Sequence, residues 1–451
     1  MSKRTLVLIY TNKQFRTYVE SGAFKNLSQK GETTFILRQG VGQQEDFKSE
    51  QTIFIPPFPK FLHRSGTFLA TLLLWKNRFR SPAHTLRAHA SFGNRRVRTE
   101  FTSMILYNME GWSEIKRLLI RFFSLILPRK ILIYFRFMFV KRFLFRNFIS
   151  AGLELENYAN IFIPFSGLLT REFDDFIDYF NSRNLVTIAL QENWDNLSSK
   201  TFIESKPKYF CVWGMQSAAH LRTVHRLNDS IPIISGSPRF LPYNSSESHF
   251  DQYKKIPPSL ELSINRNFVL FTGTGDGIDD FFILDQTIEG LKFFTEFQLV
   301  YRPHPFTRNP LSEEKVRFLL ENQVSIDSSD ISKSVFHHCG LILNASLVIN
   351  QFSTMLLETL ACERKVLLPT FVNRNVNYDY SRAVDEWFHF IGLSAFPNVY
   401  ISKNKNRFRE DLRMALTAQE IQDRKASNWM CSELDSREIY FKLVEDLKTR
   451  Q

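Results

Sequence analysis

Twice along this chain, short unbroken apolar runs alternate with stretches of helical length, and that rhythm constrains the fold more than any single motif. The first round has strand-like runs at residues 5–10, 33–37, 52–55, 160–164, 186–190, 209–213 and 231–234. Helix-like stretches at 14–27, 170–184 and 216–227 lie among them. The runs are continuous rather than alternating, as expected of strands buried on both faces. Strand, helix, strand in repeated order predicts a parallel, doubly wound sheet. After a polar stretch at 242–260 the rhythm restarts, with runs at 267–271, 298–301, 324–326, 347–349 and 365–369. A chain of 451 residues exceeds one ordinary core. The expectation is therefore α/β: two Rossmann-like doubly wound domains, residues 1–245 and 246–405, with a cleft between them. Residues 406–451 read as helices, one of which can pack back on the first domain.

Charge is distributed unevenly. The first 150 residues hold 26 Lys and Arg against 8 Asp and Glu, whereas the remainder holds 32 against 38. The net +12 thus belongs to the N-terminal third, which predicts an anionic partner there. Its densest part, within an insertion at 111–150, has no acidic residue between Glu114 and Glu154. Residues 116–148 interleave Lys and Arg with Phe, Leu, Ile, Tyr and Met, and Pro128 divides any helix there in two. This composition suits a helix lying on an anionic membrane surface. The alternative is a buried hairpin whose cations snorkel outward. No nucleic-acid motif accompanies the basic stretch, so nucleic acid is not an expected partner. No stretch reaches the roughly 18 uncharged apolar residues needed to span a bilayer. The start of the chain reads as a first strand rather than a signal peptide. Four scattered cysteines without metal-ligand spacing predict a reducing compartment and no zinc site. The expected location is the cytoplasmic side, peripheral at the inner face of the membrane.

The candidate chemistry sits where strands end. Leu299–Pro305 reads LVYRPHP, and Leu347–Phe371 reads LVINQFSTMLLETLACERKVLLPTF. In the latter, a strand gives way to Ser353 and Thr354 and then to a helix carrying Glu358. Free N–H groups and the helix dipole favour an anion at such a junction. Arg302 can supply a fixed charge and His304 a donor to a departing diphosphate. The loop Thr272-Gly273-Thr274-Gly275-Asp276-Gly277 follows the first strand of the second round, and its glycines allow close backbone approach. It lacks the spacing of a dinucleotide or ATP fingerprint. In the first round, QENWDNLSSK (Gln191–Lys200) follows a strand. There Asn193, Trp194, Asn196 and Ser198 can bind a saccharide acceptor, with Trp194 stacking on a sugar face. Glu192 or Asp195 can act as general base toward the acceptor hydroxyl. A plain hydrogen-bonded turn is the alternative.

Two successive α/β domains, the RPHP loop and the strand–ST–helix–Glu segment resemble the GT-B glycosyltransferases. The likeness is to those of bacterial surface polysaccharide assembly, including the sialyl- and Kdo-transferase-like and CDP-glycerol glycerophosphotransferase-like groups. It is clearest over residues 267–371, weaker over 160–239, and absent from the basic insertion. The resemblance implies that His304 and Pro305 contact the nucleotide, that Ser353 and Thr354 hold its phosphates, and that Glu358 binds ribose hydroxyls. Asp276 with Gly277 is similar to the acidic-Gly base motif of the sialyltransferases, although Gly275 stands where that motif has a second acid. Arg364-Lys365 departs from the glycine common before the next strand. The implied activity is transfer of a sugar from a nucleotide-activated donor to a cell-surface polysaccharide or lipid-linked acceptor, with no metal or other cofactor. The alternatives are a CDP-glycerol-type glycerophosphotransferase and a non-catalytic, membrane-associated nucleotide-sugar-binding protein. A UDP-sugar 2-epimerase shares the scaffold, but the basic insertion suits it poorly.

Overall fold

The computed structural model describes residues 4–42, 52–56, 72, 113–165, 173–198, 203, 205–257, 260, 267–274, 279–304, 311–327, 336, 338–351, 353–371, 383–386, 389–422 and 425–450. The chain forms two compact units, Met1–Pro238 with Leu434–Gln451 and Arg239–Glu433.

The first unit is built on a seven-stranded sheet in the order β3-β2-β1-β4-β5-β6-β7, every pair parallel. Its strands are β1 Arg4–Ile9, β2 Thr33–Arg38, β3 Thr52–Ile55, β4 Tyr158–Phe165, β5 Val186–Gln191, β6 Tyr209–Val212 and β7 Ile231–Ile234. The order reverses between β1 and β4, so the carboxyl ends there form the switch point where doubly wound folds bind ligands. The single helix expected at 14–27 is instead broken. Helix α1 (Asn12–Phe15) is capped by the Thr11 hydroxyl, runs into a π-helical turn at Arg16–Glu20, and is followed by α2 (Lys25–Gln29). Gly22, at φ +70°, makes the break, because that left-handed conformation cannot continue a helix.

The basic insertion is helical, with α3 spanning Glu114–Ile126 and α4 Arg129–Ser150. Leu127 adopts an extended conformation ahead of Pro128 and separates them. Leu144 and Phe148 anchor α4 in the core, with the Phe148 ring against Tyr179 and Phe180 of α5 (Phe173–Asn181). Helix α3 turns Ile120 inward to Leu72 and Leu132, while Ile115, Leu118, Phe122 and Leu125 are exposed, Leu125 to 72%. Helix α6 (Met215–Thr223) follows β6. Among the described residues, no helix is long and apolar enough to cross a membrane.

The second unit carries a six-stranded parallel sheet in the order β10-β9-β8-β11-β12-β13. The strands are β8 Asn267–Thr272, β9 Phe297–Arg302, β10 Ser325–Ile326, β11 Leu347–Asn350, β12 Val366–Pro369 and β13 Val399–Ser402. Helices α7 (Asp280–Leu291) and α10 (Phe408–Thr417) contribute to the apolar cluster on one face, and α8 (Cys339–Asn344) to that on the other. Helix α9 (Met355–Ala361) follows β11. The C-terminal helices therefore divide: α10 stays with the second sheet, and only α11 (Ser436–Thr449) joins the first unit. There Tyr440, Leu443, Val444 and Leu447 enter the core beside Phe24 and Phe162.

Candidate functional site

In a parallel sheet all carboxyl ends lie at one edge. On the second sheet that edge presents Asn350, Thr272 and Arg302 side by side in register. Along the same strands Val348, Leu270 and Val300 share one apolar cluster, so the pleat puts the three polar residues on that cluster's face. Asn350 Nδ2 donates to Thr272 Oγ1 (2.5 Å) and to Ser353 Oγ (2.8 Å). The Ser353 hydroxyl also accepts from the Met355 N–H at 3.2 Å, capping α9. Thr354 is half-buried beside it. Arg302 is buried and paired with buried Asp327. The free cation expected at the phosphate is thus neutralised within the domain, since strand β9 ends facing the Asp327 carboxylate.

Glu358 is the hub of this face. It is 1% exposed and ion-paired with Arg239 at 2.6 Å. Its second oxygen accepts from Tyr243 Oη at 3.0 Å and from His338 Nε2. Burial alone would raise the Glu358 pKa, but Arg239, His338 and Tyr243 hold it down to about 2. Burial lowers the His338 pKa, and the charges of Arg302 and Arg239 act in the same direction, against the pull of Glu358. We therefore assign an ionised Glu358 and a neutral His338 whose Nε2 carries the proton. A ribose hydroxyl could reach Glu358 only by displacing one of these donors.

On the opposite face, β8 and β9 end in mutual contact. Gly273 N–H donates to the Arg302 carbonyl at 2.7 Å. A Cβ on Gly273 would lie 2.8 Å from the His304 backbone nitrogen and 2.7 Å from Asp280 Oδ2, so only glycine fits. The Asp280 carboxylate takes the Thr274 N–H and hydroxyl and the Tyr301 hydroxyl, tying the loop to the start of α7. Burial raises the Asp280 pKa despite these donors. His304 is half-buried. Gln351, directly after β11, is 1% exposed, and neither atom of its amide has a hydrogen-bond partner among the described residues. Such an orphan costs about 1–3 kcal/mol per group, which marks Gln351 as a position awaiting a polar partner.

The first unit has its own polar knot at the end of β5. Glu192 is buried and takes Lys13 Nζ and Gln14 Nε2, each at 3.1 Å. Lys13 also donates to Asn193 Oδ1 at 2.6 Å. Trp194 is 2% exposed with Nε1 on Gln216, so its ring packs inside the unit and offers no platform to a sugar. Asn196 and Ser198 are buried too, closing a capped 3₁₀ turn with Asn193 and Asp195. These contacts make the loop a hydrogen-bonded turn. Asp195 reaches the surface further than Glu192 does.

Gly275, Asp276 and Pro305 lie outside the described residues. Of the expected donor-site residues, the structure brings Arg302, Ser353 and Glu358 to one face and Gly273 and Thr274 to the other. Sequence reasoning did not single out Tyr243, Asp280, Asp327, His338 or Asn350. Among the described residues no group of His, Cys, Asp and Glu could hold a metal ion.

No protein-family model and no curated protein sequence matches this chain. Solved structures do. A protein described as a UDP-N-acetylglucosamine 2-epimerase from Listeria monocytogenes superposes with a TM-score of 0.55 at 12% identity, covering 100% of this chain and 98% of its own. S. aureus MnaA, solved with UDP, gives 0.51 at 11%, covering 99% and 96%. The Methanocaldococcus jannaschii UDP-GlcNAc 2-epimerase gives 0.51 at 8%, covering 98% and 99%. The fold is GT-B-like. At these identities the likeness concerns architecture alone.

Proposed function

We propose that the protein is a glycosyltransferase that takes a sugar from a nucleotide-activated donor and passes it to a saccharide or lipid-linked acceptor at the cytoplasmic membrane face. The observation that carries this reading is the polar edge of the second sheet. It combines the loop ends of β8, β9 and β11, an ionised Glu358 and the orphan amide of Gln351. S. aureus MnaA was solved with UDP, which makes a uridine nucleotide the first donor to test. In the proposed mechanism the second unit holds the donor. His304 and the Ser353-Thr354 turn meet the diphosphate, and the general base toward the acceptor hydroxyl is proposed as Asp195 or Glu192. For Glu192 this requires Lys13 to move aside.

Epimerisation is the second reading, because two of the three solved structures above are described as UDP-GlcNAc 2-epimerases. Transfer is favoured by α3 and α4. An epimerase acting on a small soluble substrate has no use for exposed Leu118, Phe122 and Leu125 flanked by exposed Lys116, Arg121 and Lys130. A helix of that kind lies in the headgroup region of an anionic bilayer, where an acceptor on a lipid carrier would be found. A glycerophosphotransferase fits the same site and would leave a phosphodiester in the product.

The test is calorimetry with UDP, CDP, GDP and CMP, followed by incubation of radiolabelled nucleotide-sugar with a bacterial lipid extract. Label in the lipid or polymer fraction is the expected result. Interconversion of the free nucleotide-sugar without any transfer would establish the epimerase reading in its place.

A further inference from the structure

We propose that His338 is a ligand-contacting residue of the donor site, its Nδ1 lone pair accepting a hydroxyl proton from the polyol part of the nucleotide-sugar, and that Glu358 acts behind it as a positioning residue. The inference rests on the donor reading above and departs from the ribose contact expected of Glu358 itself.

Three observations combine. Glu358 is 1% exposed, and both of its oxygens are occupied by Arg239, Tyr243 and His338, so it has no open side. His338 gives Nε2 to Glu358, which fixes the tautomer and the ring plane. Its Nδ1 then carries a lone pair and has no hydrogen-bond partner among the described residues. The side chain is 8% exposed, so the ring is held inside the unit while keeping an outlet. His338 stands immediately before α8 at the carboxyl edge of the sheet, on the face that carries Thr272, Asn350 and Arg302. The chemistry of this nitrogen restricts its ligand. A lone pair repels phosphate oxygens and accepts from O–H, so the diphosphate is excluded and a hydroxyl is selected. That hydroxyl belongs either to the ribose or to the sugar being transferred. The carboxylate–imidazole pair has the same logic as a carboxylate that orients a histidine behind a metal or a nucleophile.

The experiment uses the full chain and its His338→Gln variant, whose amide can still donate to Glu358 but places no acceptor at the Nδ1 position. His338→Ala serves as a second variant, and thermal melting confirms that each is folded. Calorimetry measures UDP, 2′,3′-dideoxy-UDP and UDP-GlcNAc. Roughly tenfold weaker UDP binding by the variants, with dideoxy-UDP unchanged, assigns the hydroxyl to the ribose and supports the proposal. Unchanged UDP with roughly tenfold weaker UDP-GlcNAc assigns it to the transferred sugar and supports it too. Equal losses on all three ligands mean that His338 is purely structural, and no loss on any means that it is remote; either overturns the proposal. If the wild type binds none of the three, the donor reading itself fails and this inference fails with it.

Discussion

At the scale of single residues, the second unit concentrates its electrostatic stakes on Glu358. A fully buried carboxylate is tolerable only while its donors remain in place. Its pKa of about 2 in the fold stands below the ordinary 4.5. The unfolded chain therefore takes up the proton first as the pH drops. Stability is fully present above pH 4.5 and is lost progressively toward pH 2, on the order of 3 kcal/mol in total. His338 adds to the same trend at higher pH. Its folded pKa lies below the usual 6.5, so the unfolded state binds the extra proton as the pH falls under that value. The groups facing the pair are Arg239, Tyr243 and Arg302, and all act within one unit. Glu358→Gln should cost roughly 3–5 kcal/mol at pH 7, because half-buried Arg239 is left without its counter-charge. The variant should also lose stability less steeply between pH 5 and 3. Urea midpoints of both proteins across that range check this, and parallel slopes would remove Glu358 as the source of the acid limb.

At the scale of elements, α3 is an amphipathic helix whose apolar stripe faces outward. Ile115, Leu118, Phe122 and Leu125 recur at the spacing of one helix face, and all are exposed. Replacing Leu118, Phe122 and Leu125 with Ser should leave thermal stability nearly unchanged, since exposed substitutions fall within about 0.5 kcal/mol each. The same change should abolish flotation with phosphatidylserine-containing vesicles, where each buried side chain contributes roughly 1.5–3 kcal/mol. Equal flotation of both proteins would overturn the membrane reading of α3.

Elements also differ in how legible they were. Strands β8 and β11 announced themselves because NFVLFT and LVIN are unbroken apolar runs. Strand β13, VYIS, follows Pro397 and Asn398, is only half-buried in the middle, and carries no such signal. The helix expected at 14–27 looked continuous because nothing local reveals that Gly22 takes a positive φ. In the site, Ser353 and Glu358 were readable from one motif. Tyr243 and His338 were not, because their bonds to Glu358 join positions 115 and 20 residues apart, and only tertiary packing brings them together. The same holds for Trp194, which composition offers as a sugar platform and the fold places inside the unit.

At the scale of the whole molecule, the first unit is discontinuous in sequence while the second is one unbroken segment. The chain leaves the first unit at Pro238, completes the second, and closes the first with α11. That helix supplies Tyr440, Leu443, Val444 and Leu447 to the core, with Tyr440 stacked on Phe24 at 5.3 Å. Lys448 adds an ion pair to Glu32 at 2.5 Å, beside the weaker one between Lys30 and Glu445. Four such side chains contribute of the order of 6–12 kcal/mol of gross burial, at about 1.5–3 kcal/mol apiece. That is comparable with the whole stability of an ordinary domain, about 5–15 kcal/mol. Truncation after Glu433 should therefore unfold the first unit and leave the second intact. Hydrogen exchange followed by mass spectrometry separates the two outcomes: β1, β2 and β4 should lose protection while β8, β9 and β11 keep it. Full protection of β1 in the truncated chain would show that the first sheet holds its core without α11, and that the C-terminal helix is a passenger rather than a structural part of that unit.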